Sequence, residues 1–197
     1  FQKGHWKTMK LLNKGKTKDV YEIDDQSVRL HFKDDVTGVD GVFDPGANGV
    51  GLQIEGIGHL GLQVSDIFFK LTSDIIPNHV IAVNLEENTM DVKRCTTFGQ
   101  GLEVIARLKA GGSFIRRYGA YIEDGADLDG FVEFTLKDDH RNDPPINQMG
   151  LTLLNIATKE QVTYLEETTL AITKRISEYL NAMGLTLHDI KYEYGFA

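Results

Sequence analysis

The sequence has little cysteine, no long apolar run and no excess of positive charge. Its one cysteine, Cys95, excludes an internal disulfide and fits a reducing cytosol. No apolar run approaches the roughly 18–20 residues that a membrane-spanning helix needs, and no secretory signal peptide is visible. These absences predict a cytoplasmic protein without a membrane partner.

Acidic residues outnumber basic ones, which limits the classes of partner. The formal net charge is −8 over 197 residues, a length that allows one large domain or two small ones. Residues 1–8, FQKGHWKT, resemble the remnant of a tag before Met9. They contain two lysines, so the remaining chain carries −10. Such a chain is a poor partner for nucleic acid or an anionic membrane, whereas a small anionic ligand needs only a local basic cluster.

The stretch LEVIARLKAGGSFIRRYG, residues 102–119, is the most informative in the chain. LEVIA predicts a short buried strand, and the glycine pair after it predicts a turn that a ligand can approach closely. Arg107 lies on the strand, and Arg116 and Arg117 follow the turn. Arginine forks and a Gly-Ser turn suit a phosphate or carboxylate. The alternative is an ordinary strand–turn–helix whose arginines are solvated.

Residues 10–33 alternate between short apolar segments and turns, which predicts an antiparallel meander of three strands. A glycine-lysine turn, GKTK, lies between the first two strands. Lys16 and Lys18 there could hold a nucleotide's phosphates, although GKTK lacks the glycine spacing of a Walker A loop. The alternative is a surface hairpin with exposed lysines.

The remainder predicts a mixed α and β chain. Residues 34–61 are rich in glycine and aspartate, including Asp44, and predict a linker or a ligand-binding loop that is mobile without ligand. We predict a boundary between two lobes near residues 95–96. The other predicted elements, in chain order, are a helix over 62–71, strands over 79–84, 89–95 and 131–136, a polar turn over 137–145, a helix capped by Thr158 and ended by Gly184, and a charged strand over 186–195.

Several of these segments together resemble the SAICAR synthetase family. The segments are GKTKDVYE, FKDDVTGVDG, QIEG, ARLKAGGSFIRRYG, VEFTLKDDHRNDPPIN and LHDIKYEYGF, and they run collinearly from about residue 11 to the end. The resemblance implies an α+β fold, with a small antiparallel lobe (9–95) over a larger α+β lobe (96–197), ATP in the cleft between them and some similarity to kinases. It also implies ATP and Mg²⁺ as cofactors and frequent homo-oligomers.

The activity that the resemblance implies is a ligase reaction of purine biosynthesis. ATP activates the carboxylate of a carboxyaminoimidazole ribonucleotide as an acyl phosphate. The amine of L-aspartate then attacks, giving the succinocarboxamide, ADP and phosphate. The alternatives are a nucleotide-binding relative without turnover and, less well supported because HRD and DFG motifs are missing, a kinase-like phosphotransferase.

The resemblance assigns candidate site residues position by position. Those expected to bind the nucleotide are Gly15, Lys16, Lys18, Lys93 and Lys191. Those expected to bind the ribonucleotide are Asp40, Arg107, Ser113 and Arg117. Lys18, Asp143 and Glu193 are expected to be catalytic, with Glu193 also a Mg²⁺ ligand.

The sequence departs from the family pattern at three places. Ile57 replaces a family lysine, and Asn142 replaces the histidine before the Asp-Pro turn. The family continues with a strand and an Asp-Glu-x-Ser-Pro segment that carries another metal-binding aspartate, whereas this sequence ends at Ala197, so we expect weaker metal binding. From sequence alone, we expect Arg107→Ala to lower activity and leave the fold intact.

Overall fold

The structure is a computed structural model that describes residues 8–43 and 49–197. The chain divides into two compact units. The first contains the chain up to Ser73, Pro77–Cys95 and Ala197, and the second contains Asp74–Ile76 and Thr96–Phe196. Asp44 and most of the predicted tag remnant lie outside the described residues. Within the described ranges, no helix is both long enough and apolar enough to cross a membrane.

The elements of the first unit are β1 Leu11–Lys14, β2 Lys18–Glu22, β3 Ser27–Phe32, β4 Asp35–Val39, β5 Val42–Phe43, β6 Val50–Gln53, α1 Ile57–Leu71, β7 Val80–Asn84 and β8 Thr89–Lys93. The unit is built on a five-stranded antiparallel sheet in the order β1-β2-β3-β8-β7, which confirms the predicted meander. A three-stranded sheet in the order β5-β4-β6 and the helix α1 complete the unit.

The core of the first unit lies between α1 and the five-stranded sheet. Leu62 of α1 is fully buried there, against Val28 and Phe32 of β3 and Met90 and Val92 of β8. Leu62 therefore holds the helix on the apolar face of the sheet.

The prediction of a glycine-rich loop over residues 34–61 was wrong for the described part of that stretch. Strands β4, β5 and β6 form there, and α1 begins at Ile57 rather than Leu62. Gly38 and Gly51 lie so close across the ladder that a Cβ on either would overlap backbone atoms. These glycines therefore allow close approach of two strands, a role that composition alone does not distinguish from loop flexibility.

Gly58 allows α1 to begin against the end of β3. A Cβ at this position would lie 2.7 Å from the carbonyl oxygen of Lys33 and 2.8 Å from that of Phe32. The Gly58 N–H also donates to Asp34 Oδ1 at 3.0 Å. The packing leaves no space for a side chain at this turn of the helix.

We expect Gly58→Ala to lower the free energy of unfolding by about 1–3 kcal/mol, because the backbone must move to admit the methyl group. Gly61→Ala is the matched control in the same helix. Its Cβ would be 3.8 Å from Phe32 Cδ1, so helix propensity should make that variant about 1 kcal/mol more stable. Urea unfolding of both variants measures the difference, and equal stabilities would contradict the packing argument.

His79 is partly buried beside the ring of Phe69, with ring centroids 5.4 Å apart. Burial lowers the pKa of His79 below its usual 6.5. The unfolded chain therefore takes up a proton at a higher pH than the folded chain does. The stability due to the neutral ring is present above pH 6.5 and is lost as the pH falls through the lowered pKa.

We expect His79→Gln to reduce the loss of stability between pH 7.5 and pH 5. The measurement is the urea midpoint at both pH values. His140→Gln, at an exposed position, is the control and should keep the wild-type pH dependence. An unchanged pH dependence in His79→Gln would contradict the assignment.

The elements of the second unit are β9 Thr96–Thr97, β10 Leu102–Lys109, α2 Gly112–Tyr118, β11 Asp127–Leu136, a 3₁₀ turn Asp139–Arg141, β12 Pro145–Ile146, α3 Gln148–Leu153, α4 Lys159–Ala182, β13 Asp189–Glu193 and β14 Gly195–Phe196. The unit is built on a four-stranded antiparallel sheet in the order β12-β11-β10-β13, with a short β14-β9 pair. The predicted strand–turn–helix of residues 102–119 is confirmed.

The long helix α4 covers the apolar face of this sheet. Its predicted capping box is present, with Thr158 Oγ1 accepting from Gln161 N and the Gln161 side chain accepting from Thr158 N. Val162 and Leu165 of the helix are buried against Val104 of β10 and other core residues. The helix therefore leaves the opposite sheet face to polar side chains.

Two tyrosines, Tyr192 of β13 and Tyr194 directly after the strand, fix β13 to α4. The Tyr192 and Tyr194 hydroxyls lie 3.0 Å from Thr173 Oγ1 and 2.7 Å from Thr169 Oγ1, respectively. Burial raises the pKa of Tyr194 to about 12 despite its hydrogen bond to Thr169. The side chains that alternate with these tyrosines along the strand, Asp189 among them, lie on the other face of the sheet.

Candidate active site

The polar face of the second-unit sheet holds most of the candidate residues in that unit. Directly paired residues of antiparallel strands project to the same face, and successive residues alternate between faces. Three triples across β13, β10 and β11 share this face, namely Glu193–Glu103–Thr135, Lys191–Ile105–Glu133 and Asp189–Arg107–Phe131.

Arg107 lies at one end of this face and is almost fully buried. Its Nε and Nη2 donate to Glu133 Oε1 at 3.1 and 2.6 Å, and Nη1 donates to Asp189 Oδ2 at 2.9 Å. Nη2 also donates to Ser113 Oγ at 2.9 Å. The guanidinium lies 5.7 Å from the ring centroid of Phe114. Its orientation is therefore fixed on several sides.

Arg117 reaches the same carboxylate from α2. Its Nη2 lies 2.6 Å from both Oε1 and Oε2 of Glu133. Its Nε is buried and has no hydrogen-bond partner among the residues that the structure describes. The structure thus brings together Arg107, Ser113 and Arg117, three residues that the sequence assigned to one substrate, while Arg116 is exposed.

Sequence reasoning missed Glu133, which joins the two arginines. It lies in the middle of β11, between the apolar residues Val132 and Phe134, and is buried. An acidic residue at an inward position of a strand needs a buried cation. An acidic residue within the apolar strand sequence VEFTL was such a signal. The cations that pair with Glu133 became evident only from the register of β10 against β11.

The other end of the polar face holds a second set of charges. Lys191 Nζ donates to the buried Glu103 at 2.5 Å, and Thr135 Oγ1 donates to the same carboxylate at 2.7 Å. Lys137 Nζ donates to Glu193 Oε1 at 2.7 Å. Lys191 and Glu193 therefore share one face of the sheet, and both remain exposed.

Asp143 closes the polar turn that follows β11. Its Oδ1 accepts from Asp138 N at 2.8 Å, and its own N–H donates to the Asp138 carbonyl at 3.0 Å. Asn142 and Asp143 both have positive φ, of 57° and 47°. Arg141 hydrogen-bonds the Asp138 carboxylate and lowers its pKa. The Asp143 carboxylate therefore stabilises the turn. The catalytic role predicted for Asp143 would be a second role of the same side chain.

In the first unit, Lys33 ties down the Gly15 turn. Its Nζ donates to the Gly15 carbonyl at 2.8 Å and forms ion pairs with Asp35 at 3.0 Å and Asp19 at 3.2 Å. Burial opposes the charged form, but the hydrogen bonds with Asp35 and Asp19 outweigh it and raise the pKa of Lys33. The turn between β1 and β2 is therefore held by the partly buried cation of Lys33.

The lysines of the turn have different surroundings. Gly15 N donates to the Lys18 carbonyl at 2.9 Å, and a Cβ on Gly15 would overlap that oxygen. Lys16 is partly buried within the turn. Lys18 Nζ lies 5.0 Å from the ring centroid of Phe32. The turn thus needs glycine at position 15, and lysines flank Thr17 at positions 16 and 18.

Lys93 and Asp40 lie away from this turn. Lys93 pairs with Ser27 and Lys18 pairs with Phe32, so they are five residues apart along β3, or about 16 Å at 3.3 Å per residue. Asp40 is an exposed residue of the hairpin turn between β4 and β5, where Asp40 and Gly41 have φ of 50° and 79°. Two positive φ values are typical of a type I′ turn.

Few side chains in the described residues are placed to bind a metal ion. In residues 8–43 and 49–197, no three His, Cys, Asp or Glu side chains are grouped to hold a metal ion. Glu193 does provide an exposed carboxylate. Mg²⁺ is commonly held by one or two carboxylates together with substrate phosphates and water. The described residues therefore fit Mg²⁺ only where a nucleotide supplies further oxygen ligands to the ion.

Comparison with known proteins gives a consistent result. The family model described as SAICAR synthetase matches residues 11–197. A phosphoribosylaminoimidazole-succinocarboxamide synthase of Clostridium tetani is 50% identical over 188 residues, which is 95% of this chain and 83% of the relative. The crystal structure of the Ehrlichia chaffeensis enzyme of the same name is 26% identical, with a TM-score of 0.82 over 94% of this chain and 75% of that one.

A solved SAICAR synthetase in complex with ADP is 32% identical, with a TM-score of 0.79 over 93% of this chain and 74% of that one. The α+β fold of antiparallel sheets and helices is thus the fold of solved SAICAR synthetases, as the sequence predicted. The chain belongs to the SAICAR synthetase family.

Proposed function

We propose that this protein is an ATP-dependent carbon–nitrogen ligase, phosphoribosylaminoimidazole-succinocarboxamide synthase. It joins L-aspartate to carboxyaminoimidazole ribonucleotide in purine biosynthesis. Family membership and 50% identity to a protein of that name support the activity. The structural observation that carries the proposal is that Arg107 and Arg117 share one buried carboxylate, Glu133, while Arg107 also hydrogen-bonds Ser113.

The arginines and Ser113 suit the anionic groups of the ribonucleotide. Guanidinium forks bind phosphate and carboxylate through paired N–H groups, and the serine hydroxyl adds a further donor. Because Arg107 is buried and held on several sides, it loses little conformational freedom when a ligand binds. Asp40 is proposed as a further contact to this substrate on the basis of the family motif alone.

The nucleotide is assigned to the lysines and to Glu193. Lys16 and Lys18 of the Gly15 turn are proposed to bind the ATP phosphates, and Lys93 is proposed to bind elsewhere on the nucleotide because it lies about 16 Å along the sheet. Lys191 is proposed as a further cation for the phosphates. Mg²⁺, when bound with ATP, neutralises phosphate charge, and Glu193 would hold it.

The chemistry requires mainly positioning and charge neutralisation. A carboxylate oxygen of the ribonucleotide attacks the γ-phosphorus, and ADP leaves. The aspartate amine then attacks the acyl carbon, phosphate leaves with the bonding electron pair, and the nitrogen loses a proton to give the amide. Lysines stabilise the phosphoryl group in transfer. Asp143 and Glu193 are proposed as the catalytic carboxylates on family grounds, together with Lys18.

The test is release of ADP by the purified protein with ATP, Mg²⁺, L-aspartate and the ribonucleotide, together with detection of the succinocarboxamide by mass spectrometry. We expect product only when all components are present. Omission of aspartate is the control. Nucleotide binding without aspartate-dependent product would instead favour a relative without turnover.

We also propose a cytoplasmic homo-oligomer. The single cysteine and the ionic substrates support a cytoplasmic location, and the family resemblance supports the oligomer. Sedimentation at several protein concentrations tests the oligomeric state, and a monomer throughout would refute it.

A further inference from the structure

Arg107 has two carboxylate partners that differ sharply in exposure. The Glu133 side chain is 7% exposed, whereas the Asp189 side chain is 44% exposed. Both form ion pairs with the guanidinium of Arg107, whose side chain is 3% exposed. One partner is therefore part of the interior of the unit, and the other lies at its surface.

Glu133 cannot leave this cluster without a large cost. Its two oxygens accept from Arg107 and from Arg117. Removing a buried charge from its partners leaves uncompensated charges in the interior. Glu133 is therefore a permanent partner that keeps both guanidinium groups in place.

Asp189 is held much more weakly. It is the first residue of β13, and it contacts the cluster through one oxygen, Oδ2, at 2.9 Å from Arg107 Nη1. Water can solvate the rest of the carboxylate. Ion pairs with an exposed partner stabilise little, so a competing anion can replace Asp189 at small cost.

The charges of the cluster already balance. Arg107 and Arg117 are matched by Glu133 and Asp189, so a ligand anion adds an unmatched negative charge unless one carboxylate leaves. We propose that Asp189 is an internal competitor for the substrate anion, which holds Arg107 Nη1 in the ligand-free protein and gives it up when the ligand binds. This inference rests on the proposed function, in which Arg107 binds the ribonucleotide.

The buried Nε of Arg117 supports the same exchange. It is a donor without an acceptor in the described part of the chain, and its guanidinium is joined to that of Arg107 through Glu133. A tetrahedral anion with several oxygens can satisfy such a donor in addition to Arg107 Nη1. A single aspartate oxygen on the edge strand satisfies only one of the two.

The experiment compares the wild type with Asp189→Asn, which keeps the shape of the side chain and removes its charge. The probes are inorganic phosphate and ribose 5-phosphate, titrated by calorimetry at constant ionic strength. Asp127→Asn is the matched control, because Asp127 forms a similar exposed ion pair with Lys109 at 2.7 Å on the same sheet. We expect Asp189→Asn to bind both probes about two- to five-fold more tightly, which corresponds to the stabilisation that one exposed ion pair provides.

Tighter binding in Asp189→Asn with unchanged binding in Asp127→Asn supports the exchange, because a merely structural residue would not yield a gain in affinity. Equal or weaker binding in Asp189→Asn, an equal gain in both variants, or no binding by any of the three proteins overturns it. The wild-type ligase assay is run in parallel. Turnover without the gain in affinity removes this inference and leaves the proposed function standing, whereas absence of turnover counts against the function itself.

Discussion

Replacing Arg107 with alanine is expected to lower the free energy of unfolding by about 3–5 kcal/mol, as well as to abolish binding of the ribonucleotide. In this variant the buried Glu133 keeps only Arg117 of its two arginine partners, and the lost side chain leaves a cavity beside Phe114. The sequence-based expectation that this substitution spares the fold is therefore revised, because the structure shows Arg107 to be a buried ion-pair centre. Urea unfolding of the purified variant gives the measurement.

Arg116→Ala is the matched control for this experiment. Arg116 lies on the same short helix as Arg117 but is exposed, so its removal should change stability by no more than about 0.5 kcal/mol. Arg107→Lys separates charge from geometry, because lysine keeps the charge and loses the fork. A wild-type unfolding midpoint for Arg107→Ala would show that the cluster contributes nothing to stability.

Glu193→Gln is expected to reduce kcat/KM by at least about 10- to 100-fold with little effect on the fold. Loss of a metal-associated carboxylate typically costs at least this much activity. The ion pair of Glu193 with Lys137 is exposed on both sides, so its loss should cost less than about 1 kcal/mol of stability. The measurement is ADP release at varied Mg²⁺, where the apparent requirement for the ion should rise.

Glu178→Gln on α4 is the control for Glu193→Gln. Glu178 is also an exposed carboxylate, but its helix covers the opposite face of the sheet. Its substitution should leave both kcat/KM and the Mg²⁺ requirement unchanged. Equal activities for the two variants would remove Glu193 from the proposed site.

Features that depend on neighbouring residues could be predicted from the sequence. The capping box at Thr158, the meander over residues 10–33 and the strand–turn–helix of residues 102–119 each follow from local patterns. The sequence predicted that Arg107, Ser113 and Arg117 lie close together, because one strand–turn–helix contains all three.

Features that depend on strand register could not be predicted. Glu133 and Asp189 meet Arg107 only because β11 and β13 pair with β10 at particular residues. The glycines of β4 and β6 were mistaken for loop glycines, because composition does not show that two backbones pass close together. The separation of Lys93 from the Gly15 turn likewise follows from the pairing of β2 and β8 with β3.

The attachment of β13 to α4 restricts how relatives of this protein can vary in length. A one-residue insertion inside the strand would exchange its two faces, placing lysine and glutamate against the helix and tyrosine rings where the charges now lie. The same insertion between Gly184 and His188 would be absorbed before the strand begins. Gains and losses of residues over evolution should therefore collect in that connection and be rare from Asp189 to Tyr194.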